Sequence, residues 1–114
     1  MEQYFWGWRE RDGTPQVRWA DGGRGHLLSA RRDLFNHSPC GFEWGYGGSG
    51  PAQLALAILC KVMHDDERAV RLHQPFKFRV VAGWDQNSRW LITEQEVWAH
   101  VAEIEREEAA RQVS

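Results

Sequence analysis

The sequence predicts an α+β fold, a single small domain in which a mostly antiparallel sheet of four to five strands packs on a buried central helix. Three observations carry that expectation. Two strand-like stretches near the N-terminus are joined by the turn cluster Asp12-Gly13-Thr14-Pro15. The run Ala52–Met63 is apolar or small at nearly every position, and a helix that is apolar on all sides is buried on all sides. Thr93-Glu94-Gln95-Glu96 spells a capping box, in which a threonine and a glutamate reciprocally satisfy the free amides of a helix start.

In chain order, Tyr4–Arg9 and Gln16–Ala20 form a hairpin, and His26–Leu28 adds a third short strand after the loop Asp21–Gly25. Ser29–Asp33 reads as one helical turn capped by Ser29, and Asn36-His37-Ser38-Pro39 as loop. Gly41–Tyr46 is expected as a short strand entering the glycine-rich segment Gly45–Gly50. Pro51 then fits the first turn of a central helix over 51–63. Glu67–His73 is a second, more polar helix that Pro75 should end. Phe76–Trp84 and Arg89–Ile92 read as a second hairpin. The C-terminal helix spans 94–110, with Val97, Val101 and Ile104 on one stripe. Residues 1–114 make one domain, with 106–114 a polar tail expected to fray.

The composition narrows the function. A chain of 114 residues with 42% hydrophobic content can bury one core. A net charge of −2 lacks the basic surplus of a duplex-DNA binder. No apolar run approaches the roughly 20 residues a membrane span needs, and the N-terminus lacks the pattern of a secretory leader. Cys40 and Cys60 have no CxxC partner, and free thiols in a reducing cytoplasm are the expectation. The five histidines show no metal-ligand spacing, and neither metal nor cofactor is expected.

Chemistry concentrates at Gly45-Tyr46-Gly47-Gly48-Ser49-Gly50-Pro51. Glycines let backbone amides approach a ligand closely, and the following helix aims its free N–H groups and positive dipole end at the same spot, the composition of a phosphate or carboxylate site. The spelling matches G-x-G-x-x-G, but a second helix follows where a dinucleotide fold requires a parallel strand. It is no Walker loop either, since Gly50-Pro51-Ala52 replaces the Gly-Lys-Ser/Thr ending. Candidate ligand-binding residues are Trp44, Gly45, Tyr46, Gly47, Gly48, Ser49 and Gly50, joined by Arg31, Arg32, Asn36, His37 and Glu43. Trp44 or Tyr46 would stack a base and Arg31 or Arg32 would pair charge. Close packing of the buried helix explains the glycines equally well. An enzyme would instead bring His37, Glu43 or Cys40 to one point.

The stretch Asn36–Leu59, NHSPCGFEWGYGGSGPAQLALAIL, resembles a family of small uncharacterised proteins from bacterial, archaeal, phage and plasmid genomes with the signature NHSPxGFEWGYGGSGPAQLALA. Cys40 occupies its variable slot. That resemblance implies no activity. In layout the loop–helix–strand–helix order is similar to viral ring-nuclease-type anti-CRISPR proteins and sponges, which hold cyclic oligonucleotides at a loop before a helix. Gly45-Tyr46 stands here for their Gly-His pair, a departure that argues against a hydrolytic role and leaves binding open.

The leading expectation is a non-enzymatic binder of a phosphate-bearing small molecule, a nucleotide or cyclic nucleotide signal among them, serving regulation or counter-defence in a phage or mobile element. The alternative is a module that inhibits a host protein through an exposed Trp/Arg patch or the acidic C-terminal helix. A homodimer is compatible with either, and no membrane partner is expected.

Overall fold

A computed structural model describes residues 2–38 and 41–113. Strands β1 (Tyr4–Arg9) and β2 (Pro15–Ala20) pair antiparallel around a turn in which Asp12 Oδ1 accepts from Thr14 N and Gly13 takes φ +89°. β3 (His26–Leu27) joins the far side of β2. β4 (Trp90–Thr93) joins the far side of β1, giving the antiparallel order β3-β2-β1-β4. Alternation puts Phe5, Val17, Trp90 and Ile92 on the face toward the helices. Gly7 is needed in that layer: a Cβ there would lie 2.5 Å from the Trp90 indole. Tyr4, Trp6 and Trp8 share the opposite face, as the period of two requires.

Helix α1 (Ser49–Met63) is the centre of the core, with thirteen of its fifteen residues buried. Helix α2 (Asp66–Arg79) starts at Asp65, whose side chain caps Arg68 N, and packs along α1. Helix α3 (Glu94–Val113) starts at the expected capping box. Thr93 N and Oγ1 both donate to Glu96 Oε1, and Glu96 N donates to Thr93 Oγ1. Val97, Val101 and Ile104 are its buried stripe. The helix runs on to Val113, with Glu105 paired to Arg68 and Arg71 and Glu107 to Arg79 of α2. Among the described residues no helix is long and apolar enough to cross a membrane.

Several local expectations are corrected. Pro75 does not end α2 but sits inside it, and Phe76–Trp84 is not a strand: it is the last turn of α2, a 3₁₀ turn at Val81–Gly83, and an extended Trp84. The second hairpin is therefore absent, because β4 pairs with β1 instead, and Trp84 stacks on Trp90 at 4.3 Å. The helical period is visible in retrospect. Leu72, Phe76 and Val80 form one buried row, and His73, Lys77 and Val81 the next. An interior proline costs about 3 kcal/mol. Full burial of each large apolar side chain returns about 1.5–3 kcal/mol, so the two rows outweigh the lost backbone bond. Gly41–Tyr46 is an irregular crossing rather than a strand, and Ser29–Asp33 holds a turn but no helix.

Candidate functional site

The site is built on the N-terminal end of α1. Gln53 is the only polar residue in the run Pro51–Cys60, and its carboxamide is wholly buried. Its Oε1 accepts from His37 N (2.8 Å) and Ser38 N (3.1 Å), while its Nε2 donates to Ala30 O (2.6 Å) and Phe35 O (2.9 Å). Two acceptor and two donor bonds use the full capacity of a carboxamide. The segment 30–38 is thereby clamped to the first turns of α1.

The glycines divide into two groups. Gly45 has φ +89°, donates its N–H to Val81 O, and lies so close to Gln86 that a Cβ would sit 2.6 Å from the Gln86 Cα. A Cβ on buried Gly50 would meet the Glu43 Cβ at 2.5 Å. These two are packing devices. Gly47 and Gly48 face outward, beneath the exposed rings of Phe78 and Tyr46. Gly48 is the N-cap of α1 in extended geometry, and no side chain caps the helix.

Lys77 stands at that uncapped end. Its Nζ donates to Gly47 O at 2.9 Å, its ammonium lies 4.0 Å from the Phe78 ring centroid, and the residue is only 5% exposed. No carboxylate pairs with it among the described residues. Burial without a counterion is costly, and the positive end of a helix dipole is the wrong place for a cation.

Beside it, His37 Nε2 and His73 Nε2 are 2.8 Å apart, and Phe35 stacks on His37 at 4.5 Å. His73 Nδ1 lies 2.6 Å from Val70 O, and a carbonyl only accepts, so Nδ1 carries the proton. His73 Nε2 is then bare and accepts from the Nε2–H of His37. Burial and then the nearby Lys77 charge hold His37 below its ordinary value. Burial is also the chief cause of the lowering at His73, with His37 and Lys77 adding to it. Both rings are neutral at pH 7.

The sequence candidates are thus distributed. Tyr46, Gly47, Gly48 and Ser49 lie at the helix start, and His37 is tied to the first turns of α1 by its N–H on Gln53 Oε1. Asn36 is exposed on the clamped segment, and Arg32 Nε donates to Ser38 O there. Trp44 is fully buried, with its Nε1 on Ser88 O, and cannot stack a ligand. Glu43 is held bidentately by Arg9, at 2.6 and 3.2 Å. Arg31 is bound to Asp33 and Asp66 and lines a cavity with Cys60, near the other end of α1. Cys40 lies outside the described residues. Sequence reasoning missed Gln53, His73, Lys77 and Phe78. A lone amide in an apolar helix, and one of only two lysines among twelve arginines, were the available signals.

Residues 5–103 match the profile described as Family of unknown function (DUF6166). The chain belongs to that family. The match takes in the sheet from Phe5 onward, α1, α2 and every residue of the site described above, so the site lies within the family domain. No curated protein and no solved structure is similar to the chain, and the layout likeness to ring-nuclease-type proteins gains no support from that quarter.

Proposed function

We propose that this member of the family binds a phosphate-bearing small molecule, without chemical turnover, at the surface formed by Gly47, Gly48, Ser49 and Lys77. The single observation that carries the proposal is Lys77: a nearly buried ammonium, with no counterion, beside the uncapped positive end of α1. An anionic ligand supplies the missing negative charge, and the free amides of the first turn supply donors for its oxygens. Tyr46 and Phe78, 43% and 64% exposed, flank the spot with aromatic surface suited to a base or other flat group. Phosphate is preferred over a protein partner because the converging features are donors and a cation rather than a broad apolar patch. Two observations support binding without turnover: the histidine Nε2 atoms face each other, and Glu43 is engaged by Arg9.

The test is calorimetric titration with inorganic phosphate, mononucleotides and cyclic oligonucleotides, repeated on Gly48→Asp. Gly48 has φ −94°, open to any residue, and aspartate is a favoured N-cap, so its carboxylate would occupy the amides from within. The Tyr46 ring must rotate to admit the new side chain. A folded Gly48→Asp protein that no longer binds supports the proposal. Wild-type protein that takes up none of these ligands overturns it. Preference for cyclic oligonucleotides would favour the counter-defence role, and preference for mononucleotides a regulatory one.

A further inference from the structure

We propose a second ligand site at the opposite end of α1, a cavity that takes a small apolar monocarboxylate. α1 is about 22 Å long at 1.5 Å per residue, so this site is separate from the glycine loop. The cavity measures about 400 Å³, within the range of small-molecule sites. Its base is apolar: Leu28, Ala57 and Cys60, all buried. Burial pushes the Cys60 thiol up to about 11, so it stays a neutral packing group. Leu27 at the rim is 75% exposed, an apolar side chain left in water that a ligand body would cover.

The charge on the cavity wall selects the headgroup. Lys61 Nζ lies 3.7 Å over the Trp19 ring and has no carboxylate partner among the described residues. Arg31 also lines the cavity, but its guanidinium is committed to Asp33 and Asp66. One ammonium is thus available to one anionic group. The negative end of the α1 dipole lies here and disfavours every anion, a doubly charged headgroup such as phosphate more than a carboxylate, so the Lys61 ammonium is better matched to the monoanion.

Backbone geometry marks the same place independently. Among the described residues the only non-glycine positions with positive φ are Arg31 (53°) and His64 (51°), and both line this cavity. His64 is explained by its role as the C-cap of α1, with its N–H on Cys60 O. Arg31 ends no helix. A side-chain-bearing residue held in the left-handed region is strained, and such strain collects at ligand sites.

The test is an NMR titration of the ¹⁵N-labelled protein with benzoate and hexanoate, using benzamide as the neutral isostere. The expected result is saturable shifts confined to Trp19, Leu27–Arg31 and Ala57–His64, with benzamide at least about tenfold weaker, the worth of one charge-assisted hydrogen bond. Lys61→Met should erase the preference for acid over amide, and Lys61→Arg should keep it. Scattered or absent shifts at millimolar acid, or a preference that survives Lys61→Met in the folded protein, would overturn the proposal.

Discussion

At the N-terminal end of α1 the ammonium of Lys77 is almost buried and has a carbonyl but no carboxylate for a partner. Near the C-terminal end Arg31 stands half-exposed between two carboxylates. The second arrangement is what a surface charge ordinarily finds, and it contributes little in either direction. The first is a charge buried without a counterion among the described residues, in a dipole field of the wrong sign. The difference offers a way to separate a structural charge from one held ready for a ligand: removal of the first should lower stability, and removal of the second should raise it.

The largest expected effect concerns the Gln53 clamp, which holds His37 and the rest of segment 30–38 against α1. Gln53→Leu keeps the volume but leaves two amides and two carbonyls of residues 30–38 unpaired in the interior. A loss of about 3–5 kcal/mol is expected, several buried polar groups each costing about 1–3 kcal/mol with partial rescue by water. Urea denaturation measures it. A loss under about 1 kcal/mol would mean that the clamp is not what fixes this end of the helix.

The contrast between the two cations predicts opposite signs. Lys77→Met keeps the aliphatic stem, removes an unneutralised buried charge and frees Gly47 O toward solvent. Stability should rise by about 1–2 kcal/mol while phosphate binding is lost. Arg31→Met should lower stability by less than about 1 kcal/mol and leave phosphate binding unchanged. If thermal unfolding shows Lys77→Met destabilised like an ordinary core variant, Lys77 is a structural residue and the comparison fails.

A smaller effect is expected on acidification. His37 and His73 titrate below the ordinary imidazole value of 6.5 in the folded chain, so the unfolded chain binds more protons in that range. Stability is therefore full above pH 6.5 and falls as the pH drops through the folded values. His100, lowered by burial and by Arg79, works in the same direction. The double variant His37→Gln, His73→Gln should flatten the denaturation midpoint between pH 6.5 and 5 more than His100→Gln does. Equal slopes in the two variants would show that the pair does not dominate this titration.

Much of this molecule was legible in its residues. The hairpin, the buried helix and the capping box were read correctly because each is a local pattern with one dominant cause. The second hairpin was misread because FKFRVV satisfies a period of two while its burial follows the helical rows Leu72–Phe76–Val80 and His73–Lys77–Val81. Pro75 reinforced that error. The candidate site was half legible. The loop and His37 lie close together in sequence, but Lys77 and His73 come from α2. Arg31 looked like a loop partner and is not, because a turn with positive φ turns it toward Asp66.

That turn supplies the smallest and most discriminating prediction. Arg31→Gly removes both ion pairs, each worth less than about 1 kcal/mol at this exposure. It also relieves a left-handed backbone that costs a side-chain-bearing residue about 1–2 kcal/mol. Glycine's greater freedom in the unfolded chain takes back part of that gain, roughly 0.5–1 kcal/mol. The terms nearly cancel, so the net change should lie within about 0.5 kcal/mol of zero. Arg31→Ala keeps the strain, loses the pairs and should fall below Arg31→Gly. The order of these two variants in urea denaturation is the readout. If alanine is the more stable, φ +53° is no strain here, and Arg31 differs from any surface arginine only in its two partners.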